Sequence, residues 1–162
     1  MSLTAFTRRT FLGGLASVGA GVAWMEERLG AQAAAHVRRP LVVTSKTNPF
    51  VREGVTTAAW DIMQAGGSAL DAAEKGTNVS ELDPRDPTVG YGGDPNEMGF
   101  LQLDAAVMNG LDHNIGAVAA LENIKTPCSV ARLVMERTDH WMLVGRGALT
   151  FAKMHGFKEE DL

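Results

Sequence analysis

A single cysteine, Cys128, stands in the 162 residues of this chain. No disulfide can close within one chain, and no zinc site can be built from thiolates. Beside Pro127, at the start of an expected helix, that cysteine reads as a small buried filler rather than a reactive thiol. A basic excess is also missing. Fifteen Lys and Arg against nineteen Asp and Glu give a formal net charge of -4. No basic stripe is available to neutralise phosphates, which argues against nucleic acid as a partner. No apolar run is long enough to span a bilayer comfortably; residues 12–25 come nearest and are too short and too rich in glycine. Nucleotide fingerprints are absent, since the glycines follow neither dinucleotide nor P-loop spacing. Asp83, Asp86, Asp94 and Glu97 do not fit a twelve-residue calcium loop, and His113, His140 and His155 follow no metal-ligand pattern. The expectation is a protein with no metal and no cofactor.

What remains is ordinary for a globular chain: 45% apolar, 21% charged, with room for one domain,. Residues 1–35 read as an address rather than as part of the fold. Thr7-Arg8-Arg9-Thr10-Phe11-Leu12 is a twin-arginine pattern, followed by an apolar stretch and small-residue cleavage sites around Ala33 to Ala35. Twin-arginine export is receptor-read, so the expectation is a periplasmic or secreted protein whose mature part, 36–162, begins near His36.

The stretch 88–108, TVGYGGDPNEMGFLQLDAAVM, organises that mature part. Gly90, Gly92 and Gly93 around Tyr91 permit positive φ and close backbone approach. An acidic turn follows, and then Leu101, Leu103, Ala105 and Val107 alternate with polar or small residues in the period-2 pattern of a strand. A glycine loop feeding a strand makes either a ligand pocket or a plain hairpin, and the residues alone leave both open.

Around it the spacing predicts a short buried strand at 40–45 and a helix with Val55, Ala58, Ala59, Ile62 and Met63 on one face, stopped by Gly66-Gly67. A second helix is expected from Ser68, with Ser68 and Asp71 as a capping box. Its inner face of Ala69, Ala72, Ala73 and Gly76 is small enough to lie against a sheet. Asp71 and Glu74 read as cap and surface groups. A second strand at 116–121, buried on both faces, is expected antiparallel to the first. Thr126-Pro127 opens a helix to about Arg137 with Val130, Leu133 and Val134 inward. The apolar run 140–145 reads as a central strand, and a last helix, 147–155, ends at Gly156 with Phe157 in the contact that accompanies a glycine cap.

Several stretches, taken in order, resemble the glycosylasparaginase (aspartylglucosaminidase) family of N-terminal nucleophile hydrolases. They are Gly66-Gly67-Ser68-Ala69-Leu70-Asp71-Ala72-Ala73-Glu74-Lys75-Gly76, Val89-Gly90-Tyr91-Gly92-Gly93 with Pro95 and Glu97, and Leu103-Asp104-Ala105. Gly116-Ala117-Val118-Ala119, Ile124-Lys125, Val130-Ala131-Arg132-Leu133-Val134-Met135-Glu136, Leu143-Val144-Gly145 and Gly156-Phe157 complete the series. The resemblance implies an α/β (α+β) fold, part of a four-layer αββα sandwich made as a precursor that cuts itself into α and β subunits. It implies a threonine nucleophile at the new N-terminus, its own α-amine acting as base, and oxyanion donors for the acyl intermediate. The implied reaction cleaves the amide between asparagine and N-acetylglucosamine; relatives take asparagine or β-aspartyl peptides. The implied assembly is (αβ)2.

The stretches match the α half only. The family's His-Asp-Thr junction is not among these residues, so no catalytic residue is expected in this chain. The nucleophile would come from a β-subunit partner, and the chain alone would be inactive; the alternative expectation is an inactive truncated remnant with no enzymatic activity. Thr88 matches a family hydroxyl that touches substrate, and Gly90, Tyr91, Gly92 and Gly93 would form the pocket loop. Where the family has a tryptophan, this sequence has Ser45-Lys46-Thr47-Asn48. Half of a two-sheet sandwich leaves apolar strands uncovered. At roughly 25 cal/mol per Å² that loss rivals a stability of about 5–15 kcal/mol, so the isolated chain is expected to be poorly soluble or to oligomerise.

Overall fold

A computed structural model describes residues 40–162; the export segment anticipated at 1–35 lies outside the described residues. Leu41–Leu162 form one compact unit. Its first helix, α1 (Pro49–Gln64), begins on Asn48, whose Oδ1 accepts the Phe50 N–H at 3.1 Å, with Pro49 pre-set for the first turn. It ends where Gly67 N–H donates to the Ile62 carbonyl at 2.9 Å and Gly66 N–H to that of Met63 at 3.1 Å, the paired bonds of a Schellman stop. Val51, Val55 and Ala59 are its buried face.

Helix α2 (Ala69–Glu81) opens on the anticipated capping box: Asp71 N–H donates to Ser68 Oγ at 3.0 Å, and Ser68 N–H to Asp71 Oδ2 at 3.2 Å. Its small stripe does not meet a sheet as expected. A Cβ on Gly76 would lie 3.0 Å from the Val55 carbonyl and 3.2 Å from the Ala59 Cβ, so the stripe lets α2 close on α1. Ala69 and Ala73 stay exposed. They line a cleft of about 160 Å³ with Leu41, Val42 and Val43.

Three strands form the sheet in the order β1 (Leu103–Met108), β2 (Ile115–Leu121) and β3 (Met142–Val144). The β1 and β2 strands are antiparallel, joined by a turn in which Asn109 N–H donates to the Asn114 carbonyl at 2.9 Å; β2 and β3 are parallel. The alternation of β1 survives, with Leu103 and Val107 buried and Asp104, Ala106 and Met108 exposed. The ladder bulges near Leu103, where β2 carries an extra residue, Ala120, at φ 47. The Ala120 N–H, displaced from regular pairing, donates to Asp104 Oδ1 at 2.7 Å,.

Helices α3 (Pro127–Arg137) and α4 (Gly145–Met154) complete the unit. The core joins Val107, Val118 and Leu121 of the sheet to Val130, Ala131 and Val134 of α3 and Ala148 and Ala152 of α4. Gly116 allows the close approach: a Cβ there would sit 2.2 Å from the Ala131 carbonyl,. Leu133 is only partly covered. The last helix stops as expected, Phe157 N–H reaching the Ala152 carbonyl at 3.1 Å, and Phe157 packs on the core.

Two expected strands differ. Residues 40–45 form no strand, with Leu41 79% and Val43 81% exposed. Their ladder groups find no neighbouring strand among the described residues. The run 140–145 gives a three-residue edge strand rather than a central one, with Trp141, Met142 and Val144 exposed. The described residues therefore show mixed α/β structure, with helices on one face of a small sheet; the other face carries Ala106, Met108, Met142 and Val144.

Candidate functional site

The glycine cluster is neither a hairpin nor a cradle. Gly90–Gly92 form a single 3-10 turn, closed by Asp94 N–H donating to the Pro87 carbonyl at 3.0 Å. Gly90 is buried at φ 61, and a Cβ on it would lie 2.1 Å from the Glu81 carbonyl. One on Gly92 would meet the Pro84 and Asp86 carbonyls at 2.6 and 2.7 Å. Glycine is required here because the loop lies directly on the end of α2 and the 83–86 turn. Tyr91 is half exposed.

That packing sets Thr88 at the surface beside a buried carboxylate. Asp86 is 4% exposed. Its Oδ1 accepts the Thr88 N–H at 3.1 Å and the Thr88 hydroxyl at 2.6 Å. Its Oδ2 accepts the Ser80 hydroxyl and pairs with Lys46 Nζ at 2.7 Å. Lys46 Nζ also donates to Thr88 Oγ1 at 2.6 Å. Burial pushes the Asp86 carboxyl up, but the hydrogen bonds from Lys46, Ser80 and Thr88 together outweigh it and hold the group well below the ordinary carboxylate range,.

The chemistry follows from that balance. A general base works best with a pKa near the operating pH, and Asp86 lies far below it. Asp86 therefore orients the Thr88 hydroxyl without activating it. The arrangement suits a binding group and not a nucleophile–base pair.

Of the residues anticipated for the site, Thr88 and the 90–93 loop are adjacent. The partners that position them, Asp86, Ser80 and Lys46, carried no sequence expectation as a group. One signal was available: Asp86-x-Thr88 is the spacing at which an Asp side chain accepts the N–H two residues on.

A second polar cluster lies between α2 and α3. Glu74, expected at the surface, is 8% exposed; it accepts Arg132 Nη1 at 2.7 Å and the Ser129 hydroxyl at 2.6 Å. Arg132 also pairs with Asp71 and Glu136, each at 2.7 Å. Hydrogen bonds from Ser68 and Arg132 draw the Asp71 carboxyl down to about 2. Glu81 is 1% exposed. It accepts the Cys128 N–H and Asn78 Nδ2, each at 2.8 Å, and burial raises its pKa. Thr126, the residue before α3, makes no side-chain cap bond; Glu81 caps the helix from another one. Cys128 is buried, and burial, with the nearby Glu81 and Glu74 charges, pushes its thiol up to about 12. Among the described residues, no group of three or more His, Cys, Asp or Glu could hold a metal ion.

Comparison with known proteins matches residues 39–162 to the family described as asparaginase, family 2. Over 104 residues the chain is 55% identical to N(4)-(beta-N-acetylglucosaminyl)-L-asparaginase of Elizabethkingia miricola, covering 64% of this chain and 30% of that protein. It is 47% identical over 123 residues to the Mus musculus protein of the same name, covering 76% and 35%. Against Mus musculus isoaspartyl peptidase/L-asparaginase it is 42% identical over 120 residues, covering 72% and 36%. The chain thus spans about a third of the length of these relatives.

Proposed function

This chain belongs to asparaginase family 2, and from that membership we propose that it is the α portion of an amidohydrolase acting on the side-chain amide of asparagine linked to N-acetylglucosamine. In this reading Thr88 and the 90–93 turn form one wall of the substrate pocket. The nucleophilic threonine, with its α-amine as base, lies outside these 162 residues on a β portion, and the two associate as (αβ)2. The observation that carries the reading is Thr88: an exposed hydroxyl held between a buried carboxylate and an ammonium, on the loop where the resemblance expects a substrate contact. The open sheet face with Met142 and Val144 is the surface on which a second sheet of an αββα sandwich would rest. In the same reading the twin-arginine pattern at residues 7–12 is an export signal, and the enzyme works in the periplasm or outside the cell.

The full gene product, incubated with N4-(β-N-acetylglucosaminyl)-L-asparagine, is expected to liberate aspartate and to carry a new N-terminal threonine by mass spectrometry. The 162-residue polypeptide by itself is expected to do neither. Turnover by that polypeptide alone would overturn the division of labour, and no turnover by the full product would overturn the substrate.

One observation favours a second reading, asparaginase or isoaspartyl peptidase activity. Lys46 occupies the stretch where the resemblance expects a tryptophan, so the wall beside Thr88 is polar. Faster turnover of asparagine or β-aspartyl dipeptides than of the glycosylated substrate would select it.

A further inference from the structure

We infer that Lys46 is a substrate-binding residue: with Thr88 it forms a paired donor and acceptor that recognises a carboxamide, Lys46 holding the carbonyl oxygen and Thr88 telling an amide from an ester by accepting its N–H. This rests on the proposed amidohydrolase reading and deepens it.

A threonine hydroxyl has one proton and two lone pairs. Ionised Asp86 can only accept, so the 2.6 Å contact takes the hydroxyl's one proton. The 2.6 Å contact from Lys46 Nζ takes one lone pair, because an ammonium can only donate,. Thr88 is left with one lone pair at an exposed position, and it meets a ligand as an acceptor only. Lys46 has three N–H donors. Two go to Asp86 and Thr88, and the third has no partner among the described residues, on a side chain 22% exposed. A donor and an acceptor therefore stand on atoms 2.6 Å apart. The complementary group carries a carbonyl oxygen next to an N–H, which is an amide. An ester offers the carbonyl but not the N–H, and a carboxylate offers no donor.

The residues holding the pair belong to three separate pieces of chain. Lys46 sits ahead of α1, Ser80 on α2 and Asp86 in the turn beyond it. Asp86 is fully engaged, accepting four contacts on its two oxygens. Its role is to fix which way the Thr88 proton points.

The test compares L-asparagine with the β-methyl ester of L-aspartate, which keeps the carbonyl and lacks the N–H. Affinity of each for the full gene product is measured by calorimetry, with turnover followed in parallel and KM and kcat taken where it occurs. The unsubstituted protein is expected to prefer the amide about tenfold. Thr88→Val is expected to erase that preference. Lys46→Met is expected to weaken both ligands about tenfold and leave their ratio, with the loss in KM and kcat within twofold. Lys46→Arg, which keeps the charge opposite Asp86, is expected to recover most of the binding. Amide preference surviving in Thr88→Val, or binding of both ligands unchanged in Lys46→Met, overturns the inference while asparagine turnover leaves the amidohydrolase reading standing. A gene product that neither binds nor turns over either compound overturns both.

Discussion

Glu81 offers the sharpest test of how the helices are held. Its carboxylate is 1% exposed and accepts the first available N–H of α3, that of Cys128, at 2.8 Å, and Asn78 Nδ2 at the same distance. Glu81→Ala leaves two buried donors without acceptors, at about 1–3 kcal/mol each; the lost helix cap is one of those two and is not added again. Removing a desolvated charge offsets part of this, so the expected net loss is about 2–4 kcal/mol, a large share of a stability of about 5–15 kcal/mol. Glu81→Gln keeps an oxygen for Cys128 but presents N–H to Asn78. The Asn78 carboxamide must turn over, and the expected loss is about 1 kcal/mol.

The same residue makes a signed prediction in pH. Burial raises its pKa from the ordinary 4.5, so the folded chain binds that proton more tightly than the unfolded one. Protonation of Glu81 stabilises the fold fully below the ordinary value, and that contribution is lost as pH rises through the raised folded value. Glutamine has no such loss, so the deficit of Glu81→Gln should narrow as pH rises from about 4.5 to 8. Urea denaturation of the gene product and both variants across that range reads the effect as midpoint shifts at constant slope. A Glu81→Ala midpoint equal to the unsubstituted one would refute the cap. A Glu81→Gln deficit independent of pH would refute the burial argument.

Arg132→Ala should cost more than the loss of a surface ion pair, because it strands Glu74 at 11% side-chain exposure; an unpaired buried charge costs about 3–5 kcal/mol, and a thermal melt shifted no further than that of Arg85→Ala, an exposed pair, would contradict it. Gly116→Ala should lower the melting temperature sharply, since its Cβ would lie 2.2 Å from a carbonyl oxygen and overpacking of this kind costs about 1–3 kcal/mol or more; an unchanged melt would show that β2 can move off α3. Asp71, drawn down to about 2 from 3.8, contributes stability present above 3.8 and lost as pH falls toward 2, so Asp71→Asn should flatten the acid limb of the stability curve, as read by denaturation at stepped pH. The 162-residue polypeptide expressed alone should self-associate through its open sheet face, and Val144→Lys, at a position 56% exposed, should shift it toward monomer in sedimentation velocity; a monodisperse unsubstituted monomer would exclude that surface.

Local chemistry was legible in the sequence. The Ser68–Asp71 box, the Gly66-Gly67 stop, the Gly156-Phe157 stop and the alternation of β1 each depend on a few neighbouring residues, and each forms. Strand order was not. Leu41 and Val43 have the composition of a buried strand, yet pairing needs a neighbour that composition cannot name. Residues 140–145 were expected at the sheet's centre because apolar runs mark two covered faces; the described residues cover one. The glycines at 90–93 signalled close approach, but not whether a ligand or the protein's own helix would approach. The protein's own α2 does.

The candidate site was half legible for a related reason. Helix α2 buries Glu74, Asn78 and Glu81, spaced i, i+4, i+7, the period of a helix face carried by polar residues. A search for apolar periodicity finds the alanines and passes over this stripe. Glu81 also stands at the C-terminal end of its helix, where a negative charge opposes the dipole; that misplacement is the one local hint that it serves another element. The stripe grips α3 through Ser129, Arg132 and Cys128, while Ser80 on the same helix reaches Asp86 and so Thr88. The hydroxyl at the surface is thus fixed by a helix that was expected to contribute only small side chains. Its ammonium partner comes from a segment about forty residues away, as the Lys46–Thr88 bond shows. No reading of adjacent residues could have supplied that distance.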